Sequence, residues 1–151
     1  MIALGVRCSN SDVSYVFLTG TRETPNVVAS GTRTFPKNFS RPQRLTWIVR
    51  EIEALLKANE VGLVIIRQFE GRAKGTAYED RVEAEAAVAI AAGNAGIRTV
   101  HKKRQGSLAK DLGLKGRARY LKTMDKSQLA GYVDMADKLQ EAALCAWSAL
   151  P

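Results

Sequence analysis

The carboxylates whose spacing could support chemistry lie near the C-terminal end of the chain. In residues 131–147, Asp134, Asp137 and Glu141 recur on a helical period beside an apolar stripe of Tyr132, Ala136, Leu139, Ala143, Ala146 and Leu150. These residues read as the last helix, on which carboxylates at i and i+3 converge and can share a metal ion, a proton or a cationic partner. An ordinary solvated helix surface produces the same pattern, because the acids stand nearly opposite the apolar stripe.

The rest of the chain is basic. The formal net charge is +8, which favours a polyanionic partner such as nucleic acid. Two stretches concentrate the cations. Arg72 and Lys74 lie between Gly71 and Gly75, and residues 102–126 carry Lys102, Lys103, Arg104, Lys110, Lys115, Arg117, Arg119, Lys122 and Lys126 against only Asp111 and Asp125. The second stretch reads either as a solvated, mobile connector or as a surface that contacts phosphates. The glycine-flanked loop has neither the phosphate-loop pattern nor the dinucleotide-binding spacing, so nucleotide binding is not inferred.

Other reactive side chains carry less. His101 is a lone imidazole with no nucleophile near it in sequence. Cys8 and Cys145 form no CxxC motif, which argues against zinc, excludes a disulfide framework and fits a reduced, cytosolic compartment. They are expected to be buried structural thiols, with a shared pocket beside the acids as the alternative. Trp47 and Trp147 fall at helix edges, and Trp147 is a candidate contact in a homodimer. Residues 1–7 reach a charge too soon for a signal peptide, and no apolar run has membrane-spanning length. No repeat or linker divides the chain, so a single domain over residues 1–151 is expected.

Residues 2–8 and 13–19 read as strands of a hairpin, and residues 26–30 as a third strand that Pro25 confines to a strand start or an edge. Residues 31–39 form a loop carrying Arg33 and Lys37. A helix follows, with Ser40 and Gln43 at capping-box spacing, Pro42 in the first turn, and Leu45, Ile48, Val49, Ile52, Leu55 and Leu56 as its stripe before Asn59. Residues 61–66 are the most apolar run and predict a central strand ending at Arg67. A second helix starts at the Thr76 and Glu79 capping-box pair, buries Val82, Ala86, Ala87, Ile90 and Ala91, and stops at Asn94 and Gly96. Residues 97–101 predict a fifth strand. Ser107 caps a short helix through Leu112, which Gly113 and Gly116 break, and the acid-bearing helix closes the chain. This order implies an α/β fold with a mixed sheet of five strands: a three-stranded antiparallel meander plus two strands joined by helices, with helices packed on the sheet.

Three stretches carry a resemblance to a known family. Ile2-Ala-Leu-Gly-Val-Arg7 resembles a first strand that in the family reads Leu-Gly-Ile-Asp. Val64-Ile-Ile-Arg67, with its basic loop and alanine-rich helix, resembles the family's fourth strand and following helix; Asp134-Met-Ala-Asp137 resembles its closing Asp-x-x-Asp. With the element order, these stretches resemble the RNase H-like superfamily, and within it the RuvC-type Holliday-junction resolvases. The resemblance implies a nuclease that holds two divalent ions, Mg or Mn, with an acid from the first strand, one from the fourth and the closing pair.

This chain departs from that set. Arginine stands at positions 7 and 67, and a guanidinium has no lone pair for a metal. The resemblance then implies that Arg7 and Arg67 lie side by side on adjacent strands and face Asp134 and Asp137, as a neutral cluster with no cofactor. Such arginines either hold the last helix on the sheet or bind a phosphate directly. Glu70, Asp12, Glu79 and Asp80 are the acids that could restore a ligand, Glu70 being nearest.

Three functions follow. The first is non-catalytic binding of nucleic acid, including branched DNA, through Arg7, Arg67, Arg72, Lys74, Lys102, Lys103, Arg104, Arg117 and Arg119. The second is a metal-dependent endonuclease with a rearranged site built on Asp134 and Asp137, with Glu70 in support. The third is a protein-interaction or scaffold module in which only the fold is inherited.

Overall fold

A computed structural model of the chain describes residues 1–71 and 75–151. The most apolar runs of the sequence form the middle of a five-stranded sheet of order β3-β2-β1-β4-β5, built from β1 (Ile2–Cys8), β2 (Asp12–Gly20), β3 (Pro25–Thr34), β4 (Val61–Arg67) and β5 (Thr99–Lys103). The first three strands pair antiparallel, whereas β4 runs parallel to both β1 and β5. Parallel neighbours need crossovers. α1 (Arg41–Ala58) carries the chain from β3 to β4, and α2 (Thr76–Asn94) carries it from β4 to β5. The mixed α/β sheet expected from the pattern is therefore present.

Local chemistry sets the ends of these helices. Ser40 and Gln43 close a reciprocal capping box on α1, and Asn59 Nδ2 donates to Leu55 O at its other end. α2 ends at Asn94, and the φ of +77° at Gly96 lets Ile97 N–H turn back to Ala92 O. Its start differs from expectation: Gly75 is the N-cap, Thr76 is already helical, and no side chain caps the helix.

Alternation along the strands divides the core. Leu4, Val6, Cys8, Val64 and Ile66 point toward α1 and α2 and form one cluster with Ile48, Ile52, Ala84 and Val88. The other face is covered by α5 (Asp137–Trp147), with Ala3, Val16 and Leu18 packing on Ala142, Ala143 and Ala146. Gly5 permits that approach, since a Cβ there would lie 1.9 Å from Ala142 O and 2.6 Å from Ala146 N. Two short helices, α3 (Gln105–Asp111) and α4 (Arg119–Thr123), complete this face by burying Leu108, Ala109 and Leu121 against Ile65 and Cys145. The basic stretch is thus pinned by its apolar residues and is no free connector.

Several expectations are corrected. The third strand runs to Thr34, because residues 31–34 continue the pairing with β2, so Arg33 lies in a strand, 3.3 Å from Glu51. The fifth begins at Thr99, after the turn that ends α2. α2 buries Arg81, Ala84, Glu85, Ala87, Val88, Ala91 and Ala92, while Ala86 and Ile90 are exposed. Alanine is small enough to sit on either side, so the sequence pattern fits two faces. α3 starts at Gln105, before Ser107, with Arg104 as its N-cap.

The closing helix is the largest correction. It is broken: Tyr132–Asp134 form a 3-10 turn, Met135 and Ala136 are extended, and α5 begins only at Asp137. Cys8 and Cys145 are both buried but belong to clusters on opposite faces of the sheet, so they border no common pocket. Trp147 is also internal, with its Nε1 donating to Arg22 O at 2.9 Å, and its ring is not available to a partner chain. Trp47 packs edge-on to Phe35.

Candidate functional site

β1 and β4 are parallel and register Val6 with Ile66, so the next residues of each, Arg7 and Arg67, emerge side by side at the strand ends. Both follow the alternation toward α5. There they meet one carboxylate: Arg7 Nε donates to Glu141 Oε2 at 2.9 Å, and Arg67 Nε lies 3.8 Å from the same oxygen. Arg7 Nη1 also donates to Cys8 O at 2.6 Å.

Arg67 is only 5% exposed, which makes its partners matter more than those of a surface arginine. Its Nη1 donates to Gln68 O and lies 2.7 Å from Glu70 Oε2. That carboxylate also accepts the backbone N–H of Gln105 at 2.9 Å, in the first turn of α3. Glu70 therefore does turn back from the end of β4, as a counter-ion for Arg67 and an acceptor for α3.

The expected partners of the two arginines lie elsewhere. Asp134 belongs to the 3-10 turn and Asp137 to the first turn of α5, with two extended residues between them, so the i, i+3 argument does not apply. Both are exposed, and among the described residues neither side chain forms a hydrogen bond or ion pair. The helical acid that reaches the arginines is Glu141, one turn further on, because α5 lies across the sheet with that turn over the ends of β1 and β4.

The other acids singled out from the sequence are committed to structural pairs. Asp12 Oδ2 lies 2.9 Å from Lys138 Nζ, and Asp80 Oδ1 accepts from Arg44 Nη2 at 2.8 Å. Glu79 and Glu83 both face Arg41, which ties α1 to α2. Among the described residues, no group of three or more His, Cys, Asp or Glu side chains is gathered. His101 is exposed on the edge strand β5.

Sequence reasoning missed a charged group beneath the arginine pair. Glu85 is fully buried on α2, accepts Phe69 N–H at 2.8 Å and lies 3.0 Å from Lys102 Nζ. Arg81, one turn earlier, lies with its guanidinium carbon 4.8 Å from the Phe69 ring centroid. Burial, and then the nearby positive charge of Arg7, push the Arg81 pKa down. The i, i+4 Arg-Glu pair was the available signal, but on an exposed face it would have looked unremarkable.

The cations assigned from sequence fall into three groups. Lys102 and Lys103 are paired with acids, Glu85 and, at 2.8 Å, Asp111. Arg104, Arg117 and Arg119 are exposed, and among the described residues none forms an ion pair, although Arg119 lies over the Tyr120 ring. Arg72 and Lys74 lie outside the described residues. A cavity of about 290 Å³ opens beside Arg67, with Lys122, Lys126, Tyr132 and Gln140 in its wall, and so joins the basic stretch to the arginine pair.

Burial sets the titration of three groups around this end of the sheet. It pushes the Cys8 and Cys145 thiols up to about 12, and it raises the Tyr132 phenol to about 12 with help from the negative charges of Glu141 and Asp137.

Among solved structures, the chain is similar to RuvC of Thermus thermophilus, at 14% identity over 98% of this chain and 92% of that one, with a TM-score of 0.76. It is similar to Thermus thermophilus RuvC in complex with a Holliday junction substrate at 13% identity, 98% and 91% coverage and a TM-score of 0.75. The yeast mitochondrial Holliday junction resolvase matches at 13% identity over 97% of this chain and 76% of that one, with a TM-score of 0.66. No protein-family model and no curated protein sequence matches. The chain has a RuvC-like form of the RNase H-like fold.

Proposed function

We propose that this RuvC-like domain binds nucleic acid, including branched DNA, without cutting it. The observation that carries the reading is one arrangement: Arg7 and Arg67 at the ends of the two central strands, with Lys122 and Lys126 across the adjoining cavity. A divalent ion in a fold of this kind needs converging hard oxygen donors. Here two of the converging side chains are guanidiniums, which donate hydrogen bonds and cannot ligate a cation. Glu141 and Glu70, the carboxylates nearest them, already serve as their counter-ions. The residues present do not fit a divalent-metal centre.

Phosphate binding asks instead for hydrogen-bond-donating cations, and is strongest where they lack acidic partners. Arg104, Arg117 and Arg119, which form no ion pair among the described residues, are such cations on the exposed part of the basic stretch, in keeping with the net charge of +8. The test is fluorescence anisotropy with labelled duplex and four-way-junction DNA across a salt series. Binding that weakens linearly with the logarithm of salt concentration is expected, and no binding at low salt removes the reading. Cleavage of either DNA in Mg²⁺ or Mn²⁺ would overturn the non-catalytic part in favour of a rearranged nuclease. Such cleavage surviving Asp134→Asn with Asp137→Asn would show that those aspartates are not its catalytic acids.

A further inference from the structure

We propose that a recess between the end of β1, the start of α2 and the first turn of α5 is a pocket for one phosphate group, held by Arg7, Arg81 and Lys138. Its volume is about 300 Å³, and its walls also include Ser9 and Asn10. Among the described residues three cations and no carboxylate line it, although Lys138 and Arg7 are also paired with Asp12 and Glu141. Cations gathered in a recess attract an anion more strongly than the same groups spread over a surface.

The deepest cation carries the inference. Arg81 is 9% exposed, yet its Nε has no hydrogen-bond partner among the described residues. The carboxylate oxygen beside that nitrogen, Glu85 Oε1, stands 3.8 Å away and is already used by Phe69 N–H. Buried guanidiniums ordinarily have their donors satisfied, so one that lines a polar recess and donates no hydrogen bond among the described residues leaves donors for an external acceptor. The fall in the Arg81 pKa has the same origin, since burial and the charges of Arg7 and Arg67 work against its cation. An anion in the recess relieves both effects.

Phosphate matches the geometry better than a carboxylate does. Arg7 spends Nε on Glu141 and Nη1 on Cys8 O and keeps Nη2, while Lys138 Nζ donates to Asp12 and to Ser9 Oγ. The donors thus approach from β1, α2 and α5. A tetrahedral group with several charged oxygens can accept from all three directions, where a planar carboxylate offers two oxygens in one plane. This proposal rests on the nucleic-acid reading and names the group recognised: a strand phosphate, either an internal phosphodiester or a terminal phosphomonoester.

The test has two probes. Inorganic phosphate should raise the melting temperature of the protein above that in chloride at equal ionic strength, and Arg81→Gln should abolish the rise. In anisotropy titrations with duplex DNA, Arg81→Gln and Lys138→Gln should each reduce the slope of log affinity against log salt by about 1. Lys138 is partly exposed, so its variant keeps the test open if Arg81→Gln fails to fold. A preference for 5′-phosphorylated over unphosphorylated single strands identifies the terminal group, and equal affinity identifies the internal one. DNA binding with unchanged slopes in both variants and no phosphate stabilisation overturns the pocket while leaving the proposed function intact. Absence of both DNA binding and phosphate stabilisation overturns both.

Discussion

At the scale of single residues, the end of the sheet is governed by which charge answers which. Glu141 answers two arginines with one oxygen, so Glu141→Gln leaves the buried Arg67 with Glu70 alone. The expected cost is about 1–2 kcal/mol in urea unfolding, the scale of a charge-assisted hydrogen bond. The same change removes a negative charge from the basic site, so DNA affinity should rise severalfold at fixed salt; an unchanged affinity would exclude the arginine pair from the binding surface. The buried thiols make a second prediction. Cys8 and Cys145 stay protonated in the native state because burial lifts both to about 12, so neither should react with iodoacetamide at pH 8 until urea unfolds the chain. Tyr132 is lifted to about 12 as well. Native pKa values above the unfolded ones mean that the native state binds more protons in between. The stability these groups contribute is complete below about pH 9 and is lost as the pH rises toward 12, which alkaline urea titrations would detect.

At the scale of elements, everything depends on how closely α5 lies on β1. Backbone meets backbone at Gly5, where Ala142 O and Ala146 N leave no room for a methyl group. Gly5→Ala therefore cannot be absorbed by a side-chain rotation. It should destabilise the protein by about 3 kcal/mol in urea unfolding and lift Glu141 away from Arg7. The alanines of α5 serve the same end, because Ala142, Ala143 and Ala146 bring the helix close enough for a glutamate to reach two strand ends. The break before α5 has an equal consequence, since it removes Asp134 from the helix and leaves Glu141 as the acid in place.

At the scale of the whole molecule, the positive charge is sorted rather than spread. Some cations are paired with acids, as Lys102 and Lys103 are, while Arg104 and Arg117 remain exposed without acidic partners among the described residues. The second set should carry the salt dependence of DNA binding. Replacing both Arg104 and Arg117 by Gln is expected to lower the magnitude of the salt slope by about 2, with little change in melting temperature. Replacing Lys103 by Gln should instead lower stability, because its Nζ is paired with Asp111 inside the α3 turn. Anisotropy and thermal melts on the two variants would separate these effects.

Much of this architecture was legible in the order of residues. Periods of two and of about three and a half, the Ser40 cap and the run from Val61 to Ile66 gave the elements, and the three motif stretches identified the fold that the solved structures share. The presence of arginine where a metal centre would need acids was also a fact of sequence alone. Which acid answered those arginines was not. That choice depended on where α5 begins, on the rotation of α2 that buries Arg81 and Glu85, and on the rise of α5 over Gly5. Each is a packing decision between surfaces far apart in the chain, and a local pattern rich in alanine is compatible with more than one outcome.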